Sequence, residues 1–221
     1  MALHPFFDPW LFIAELAFTI IAVAFCVAIY LRTKRSYELT KHKGILYFRD
    51  AFLFFGLSYL LRFLFSLTLL SGIAFDVFLP RGLITPLFIV LLGYFSTVAI
   101  FYLFFSSTWK RFDNQTMLIL GHTLALLLAV VTFLTHSHEI LLYLQAALLI
   151  VALVTVFVAS KEKKRLSQTK ILYLLVFILW LLDLWVIGRP RPFAGAIAFF
   201  FEILSLVVFA AIYYKVTKWV K

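Results

Sequence analysis

Seven long apolar runs alternate with short polar stretches along the chain. The runs cover roughly residues 10–32, 45–73, 83–107, 116–135, 138–160, 171–188 and 194–214. A helix needs about 20 apolar residues to cross a bilayer, and the runs are close to or above that length. The stretches between them are too short to hold a separate domain. The pattern therefore predicts one domain over residues 1–221, an all-α bundle of seven transmembrane helices.

Composition supports a membrane protein and argues against a soluble one. Hydrophobic residues make up 65% of the 221 residues and aromatic residues 19%. Such a chain has too few polar residues to cover the surface of a soluble domain. The net charge of +10 is carried mainly by short stretches between apolar runs. Because that distribution is typical of membrane topology signals, we interpret it as such and exclude a nucleic-acid partner.

The distribution of Lys and Arg predicts the orientation. Fifteen of them follow runs one, three, five and seven, whereas three (Arg81, Arg189 and Arg191) lie on the opposite side. Basic residues concentrate on the cytoplasmic side of membrane proteins. We therefore expect the N-terminus outside, the C-terminus in the cytoplasm, and a multi-pass protein of the plasma membrane. The basic side would contact lipid head groups and a cytoplasmic protein partner.

A weak internal repeat relates the two halves of the chain. Leu39-Thr40 precedes Ile45-Leu46-Tyr47 at the start of run two, and Leu166-Ser167 precedes Ile171-Leu172-Tyr173 at the start of run six. Runs 1–3 and 5–7 would also have the same orientation, with run four as a linker. This parallel 3+1+3 arrangement resembles the topology of the sugar-transporting SWEET and PQ-loop families, although the chain has no Pro-Gln pair. Its seven-helix plan also resembles the sensor regions that precede bacterial and archaeal histidine kinases.

Four ionisable residues lie inside the apolar runs, in the predicted outer half of the bundle. They are Glu15, Arg62, Asp183 and Glu202. A guanidinium at the depth of Arg62 costs several kcal/mol unless another buried group compensates it. Each of three helices offers a stripe of small or polar residues at helical spacing: Glu15, Thr19, Ala22 and Cys26; Ser58, Arg62 and Ser66; Gly195, Ala198, Glu202 and Ser205. We expect these faces to turn toward one another, so that the charges meet in an internal network.

The string Gly188-Arg189-Pro190-Arg191-Pro192 lies at the predicted outer mouth of that network. Two arginines held in place by prolines would attract an anion toward a cavity. We therefore add Arg189 and Arg191 to the candidate ligand-binding residues and consider a small anionic ligand. The alternative is a rigid turn whose arginines contact lipid head groups.

The sequence gives little support for metal binding or for enzyme activity. His136, His138 and Glu139 form a string that could suggest a metal, but adjacent ligands rarely converge on one ion, so we expect interfacial histidines and no cofactor. His122 lies deeper and is expected to hydrogen-bond a neighbour. The sequence holds no Gly-x-Ser-x-Gly, His-Glu-x-x-His or phosphate-binding loop, and we expect no enzyme activity.

Three functions fit these observations. The first is a receptor- or sensor-like protein that binds a small ligand or partner at the outer charges. The second is a small-solute or proton-coupled transporter that uses the same charges, which the repeat favours. The third is a structural membrane subunit in which the charges only fix the packing of helices.

Overall fold

The computed structural model describes residues 9–74, 81–112, 115–135, 138–159, 168–187 and 195–220. All regular structure within these ranges is helical, which confirms the all-α prediction. The helices are α1 Pro9–Thr40, α2 Lys43–Ala74, α3 Arg81–Phe112, α4 Gln115–Thr135, α5 His138–Ala159, α6 Gln168–Ile187 and α7 Gly195–Val220. Each of them coincides with one of the seven predicted runs, and no run extends more than one residue beyond its helix.

Length and apolarity make this chain a multi-pass membrane protein. Within the described residues, five stretches are long and apolar enough to cross a bilayer: Phe12–Thr40, Lys43–Gly72, Ile84–Trp109, Gln115–Thr135 and Phe199–Lys218. Helices α5 and α6 hold shorter apolar stretches, Glu139–Thr155 and Ile171–Asp183. The first three helices have 32 residues each, or about 48 Å at 1.5 Å per residue, which exceeds the hydrocarbon thickness of about 30 Å.

Six of the helices form a closed ring. Each helix in the order α1, α2, α3, α5, α6 and α7 packs against the next, and α7 packs against α1. Helix α4 lies outside this ring and packs on α3 and α5 through a stripe of small buried residues, Gly121, Ala125, Ala129 and Thr132. Small residues allow close approach of helices, so the stripe explains where α4 docks.

Contacts along α2 define the directions of its neighbours. Helices α1, α3 and α7 run antiparallel to α2. The contacts that show this are Phe18–Tyr59 and Tyr30–Arg49 for α1, and Phe65–Phe88 and Tyr47–Phe105 for α3. For α7 they are Arg62–Glu202 and Tyr59–Phe209. Helix α6 runs parallel to α2, with Phe48 against Tyr173, Phe55 against Trp180 and Tyr59 against Asp183. Large side chains of α2 and α6 thus meet across the middle of the ring and fill it.

The turn between α1 and α2 marks one end of the bundle, which we call the turn end. Lys41 adopts a left-handed conformation (φ 52°), and its N–H donates to the carbonyl oxygen of Tyr37 at 2.7 Å. This geometry ends α1 and lets α2 begin two residues later. The Arg49 guanidinium lies 5.3 Å from the Tyr30 ring centroid and 5.5 Å from that of Tyr37, which holds the two helices together beside the turn.

Candidate functional site

The Arg62 guanidinium lies between two carboxylates from different helices. Its Nε–H and Nη2–H groups both donate to Glu15 Oε1 on α1, at 3.2 and 3.1 Å. Its Nη2 atom also lies 3.8 Å from Glu202 Oε1 on α7. The exposed fractions of the Arg62 and Glu202 side chains are 16% and 10%, against 37% for Glu15. Arg62 therefore has the carboxylate partners that its depth in the apolar run requires, and one of them, Glu202, is buried.

Tyr59 connects this cluster to the opposite side of the ring. Its hydroxyl donates a hydrogen bond to Asp183 Oδ2 on α6, and both residues are buried. Tyr59 lies three residues before Arg62, so both side chains emerge from the same face of α2. The charge of Arg62 also interacts with that of Asp183. Polar side chains from α1, α2, α6 and α7 therefore meet in one place, which we call the Arg62 cluster (Glu15, Tyr59, Arg62, Asp183 and Glu202).

Aromatic rings surround the polar groups of the cluster. The Phe18 ring centroid lies 5.9 Å from Arg62 Cζ and 6.0 Å from the Tyr59 ring, which it meets edge to face. The Phe209 ring packs on the other side of Tyr59, at 5.8 Å between centroids. These rings lower the local dielectric, and charge–charge interactions become stronger as the dielectric falls. A partner removed from such a cluster leaves a buried charge, which costs more than a surface ion pair contributes.

Four of the five residues of the cluster were predicted from the sequence to meet. Glu15, Arg62 and Glu202 are in direct contact, and Asp183 joins them through Tyr59. The two remaining candidates, Arg189 and Arg191, lie outside the described residues, as does His136, and only the backbone of His138 is described. Arg189 and Arg191 therefore stay predictions, and so does an outer mouth.

Tyr59 is the residue that the sequence stripe on α2 missed. The stripe predicted Ser58, Arg62 and Ser66 on one face, but Ser58 is only half-buried, and its hydroxyl donates to the Phe55 carbonyl oxygen of its own helix at 2.8 Å. The buried face passes through Phe55, Tyr59 and Ser66 instead. A search for polar atoms one turn from Arg62, rather than for small residues, would have found Tyr59.

Two buried polar atoms next to the cluster lack a hydrogen-bond partner. They are Ser205 Oγ on α7 and Trp180 Nε1 on α6, in residues that are 0% and 4% exposed. Among the side chains that the structure describes, no other buried nitrogen or oxygen is in this state. Buried polar groups are nearly always paired in native proteins, so each of these two atoms calls for an explanation.

Helix α4 is held to α3 by the histidine that the sequence singled out. The Tyr94 hydroxyl lies 2.9 Å from His122 Nδ1, and the Tyr102 hydroxyl lies 3.2 Å from His122 Nε2. A neutral imidazole donates at one nitrogen and accepts at the other, so both hydroxyls can be satisfied at once. The expectation of a hydrogen-bonded His122 is confirmed.

A second polar chain links α6, α3 and α2 near the turn end. The Tyr173 hydroxyl donates to Ser106 Oγ at 2.5 Å, and the Ser106 hydroxyl donates to the Gly44 carbonyl oxygen at 2.7 Å. All three residues are buried. Helix α6 is therefore tied to α2 twice, through Asp183 within the Arg62 cluster and through Tyr173 at the turn end.

The fold and the Arg62 cluster together define a class, a helical membrane bundle with a buried charged centre. Over 210 residues the chain is 30% identical to a protein of Archaeoglobus fulgidus described as uncharacterized, and the match covers 93% of this chain and 92% of that protein. The chain belongs to the same family as this archaeal protein. Comparison with protein-family models gives no match, and comparison with solved structures gives none either.

Proposed function

We propose that the protein is a receptor- or sensor-like seven-helix membrane protein of the plasma membrane, without enzyme activity, whose ligand-binding centre is the Arg62 cluster. The observation that carries this proposal is the pairing of Arg62 with carboxylates from two other helices inside the apolar part of the bundle. Charged groups in transmembrane segments are costly and generally mark functional sites. A small anionic ligand that competes with Glu15 or Glu202 for Arg62 would change contacts of several helices at once.

The hydrogen bonds of Tyr173 and Ser106 would transmit such a change from the Arg62 cluster to the turn end. A ligand that alters the Tyr59–Asp183 bond acts on α6, and the start of α6 is bonded through Tyr173 and Ser106 to the start of α2. The turn end also holds exposed basic residues, among them Arg32, Lys34, Arg35, Lys41 and Lys43. In this proposal they contact a cytoplasmic protein partner and anionic lipids, while Arg189 and Arg191 attract solutes on the other side.

A second candidate function is a small-solute or proton-coupled transporter. The arrangement of neighbours favours it, because exchanging α1–α3 for α5–α7 leaves the ring order unchanged: the α3–α5 contact takes the place of the α7–α1 contact. The parallel pair α2 and α6 would then be the equivalent central helices. Repeats of this kind are common in transporters, whose sites lie where the repeats meet. The Arg62 cluster has that position, with groups from α1, α2, α6 and α7.

A solute screen on the purified full-length protein in nanodiscs tests the proposal. The melting temperature is measured with small carboxylates, phosphate, amino acids and organic ammonium salts, for wild type, R62K and R49K. Arg49 is a suitable control because it lies on the same helix and pairs with Asp50 at 2.6 Å (Nη2 to Oδ1). We expect to find a solute that raises the melting temperature of wild type and of R49K. The same solute should raise the melting temperature of R62K at least ten times less. Equal responses of all three proteins, or none, would favour the structural subunit.

A proteoliposome assay separates the receptor from a proton-coupled transporter. Vesicles that contain the protein and a trapped pH-sensitive dye are exposed to a pH step, with and without the solute that the screen identifies. A transporter would dissipate the proton gradient, and E202Q would stop it. A receptor would bind the solute and leave the gradient at the rate of empty vesicles.

A further inference from the structure

Ser205 and Trp180 each lie about one helical turn from a carboxylate of the Arg62 cluster, Ser205 from Glu202 on α7 and Trp180 from Asp183 on α6. On α7, Glu202 contacts Arg62 and Phe209 packs on Tyr59, and Ser205 lies between these two positions on the same buried face. Ser205 therefore shares a helix face with the two residues of α7 that contact Arg62 and Tyr59. On α6, the Trp180 ring packs at 5.0 Å from the Phe55 ring, one turn from Asp183. The two buried atoms without partners thus belong to residues that lie one turn from Glu202 and from Asp183.

The cluster has more negative than positive side chains. The ionisable groups that face it are Arg62 and Tyr59 from α2, Glu15 and Cys26 from α1, Asp183 from α6 and Glu202 from α7. One guanidinium thus stands against three carboxylates. Glu15 and Glu202 share Arg62, whereas Asp183 receives only the neutral hydroxyl of Tyr59 as a hydrogen-bond donor in the described part of the chain. Excess negative charge in a low-dielectric bundle is unfavourable, and it is relieved either by a proton on one carboxylate or by an accompanying positive charge.

We propose that a monovalent metal cation such as Na⁺ binds beside the cluster, between α6 and α7. The carboxylates of Asp183 and Glu202 and the hydroxyl oxygen of Ser205 are its protein ligands, and bound water completes its coordination. A water molecule of that shell also accepts the N–H of Trp180. The cation offsets part of the negative charge and satisfies both atoms that lack partners. Hard cations prefer oxygen ligands of these types.

The set of ligands suits a monovalent rather than a divalent cation. Ca²⁺ takes six to eight oxygens, often several from carboxylates, and Mg²⁺ dehydrates reluctantly. The described residues offer two carboxylates and one hydroxyl here, and one of the carboxylates also faces Arg62 at 3.8 Å. A monovalent ion, which needs fewer charged ligands, fits such a site better.

The test measures the melting temperature of the full-length protein in nanodiscs. Na⁺, K⁺ and Li⁺ chlorides are compared with N-methylglucamine chloride at constant ionic strength, and each series is repeated at two pH values. We expect one alkali cation to raise the melting temperature of wild type saturably, by about 5–10 °C at a hundredfold excess over its Kd. S205A and D183N should lose at least half of this shift, and S106A, which alters a buried serine near the turn end, should keep it.

The outcomes separate this inference from the proposed function, although both rest on the Arg62 cluster. The site is wrong if the melting temperature depends on pH but not on the cation, if Mg²⁺ or Ca²⁺ alone gives the shift, or if S205A and D183N respond like wild type. Should D183N not fold, S205A and W180F carry the test, since each keeps the ion pairs of Arg62. A solute response that R62K weakens, in the absence of any cation effect, would support the proposed function and reject the cation site.

Discussion

Tyr59 on α2 donates a hydrogen bond to the Asp183 carboxylate on α6, although 124 positions of the chain separate them. The bond crosses the middle of a ring in which α2 and α6 run parallel. It lies one turn from Arg62, whose guanidinium contacts α1 and α7. A single short segment of α2 therefore touches three other helices through polar groups, and this segment is the centre of the proposed function.

Removing the Tyr59 hydroxyl should destabilise the bundle. Y59F keeps the ring contacts with Phe18 and Phe209 and leaves the buried Asp183 carboxylate without its donor, so we expect a loss of about 1–3 kcal/mol in the free energy of unfolding. Y143F is the control, because Tyr143 is 73% exposed and should change stability by less than about 0.5 kcal/mol. Unfolding by SDS in mixed micelles measures both. Equal stability of Y59F and wild type would show that the bond contributes nothing.

Removing the Arg62 guanidinium should be more damaging than removing any single partner. R62L leaves two carboxylates unpaired in the bundle, and we expect a loss of about 3–5 kcal/mol. R62L/E15L should recover part of it and R62L/E15L/E202L most of it, because each step removes an uncompensated charge. R49L, at a half-buried pair on the same helix, should cost about 1 kcal/mol or less. Strictly additive changes would mean that Arg62 is not coupled to either glutamate.

The bond between α6 and the turn end can be tested with two adjacent serines. S106A removes the acceptor of the buried Tyr173 hydroxyl and the donor to Gly44, so we expect a loss of about 1–3 kcal/mol. S107A removes only a bond to the Phe104 carbonyl of its own helix (2.7 Å) and should cost less than about 0.5 kcal/mol. The same SDS titration compares them. If S107A costs as much as S106A, the link between helices has no special role.

Much of the fold follows from the sequence, because hydrocarbon demands long apolar runs and leaves few alternatives to helices. The carboxylate partners of Arg62 could also be predicted, since a buried guanidinium needs a carboxylate and only a few carboxylates lie at a similar depth. The contact with Tyr59 could not, because a tyrosine in an apolar helix has the same pattern as any large core residue. The closed ring and the outer position of α4 depend on how side chains of different helices fit together, which periodicity does not encode.

The predicted orientation can be measured by cysteine labelling in a C26A background, since Cys26 is the only cysteine. Cysteines replace Lys34 and Glu139, which are exposed near opposite ends of the bundle. In sealed cells an impermeant maleimide should label E139C, and K34C should react only after permeabilisation. The reverse pattern would place the N-terminus in the cytoplasm.

The accessibility of the Arg62 cluster to solutes separates a binding site from a closed cluster that only stabilises the packing of helices. Ser205→Cys and Ser106→Cys are compared in the C26A background, because both serines are buried, at 0% and 8% exposure, but only Ser205 borders the cluster. A small, positively charged methanethiosulfonate is added to the protein in nanodiscs, and modification is followed by mass spectrometry. We expect Ser205→Cys to react at least ten times faster than Ser106→Cys, and we expect R62K to change the reaction rate of Ser205→Cys. If both cysteines stay unmodified, or react equally slowly whatever residue occupies position 62, the cluster is a structural lock and the proposed site is wrong.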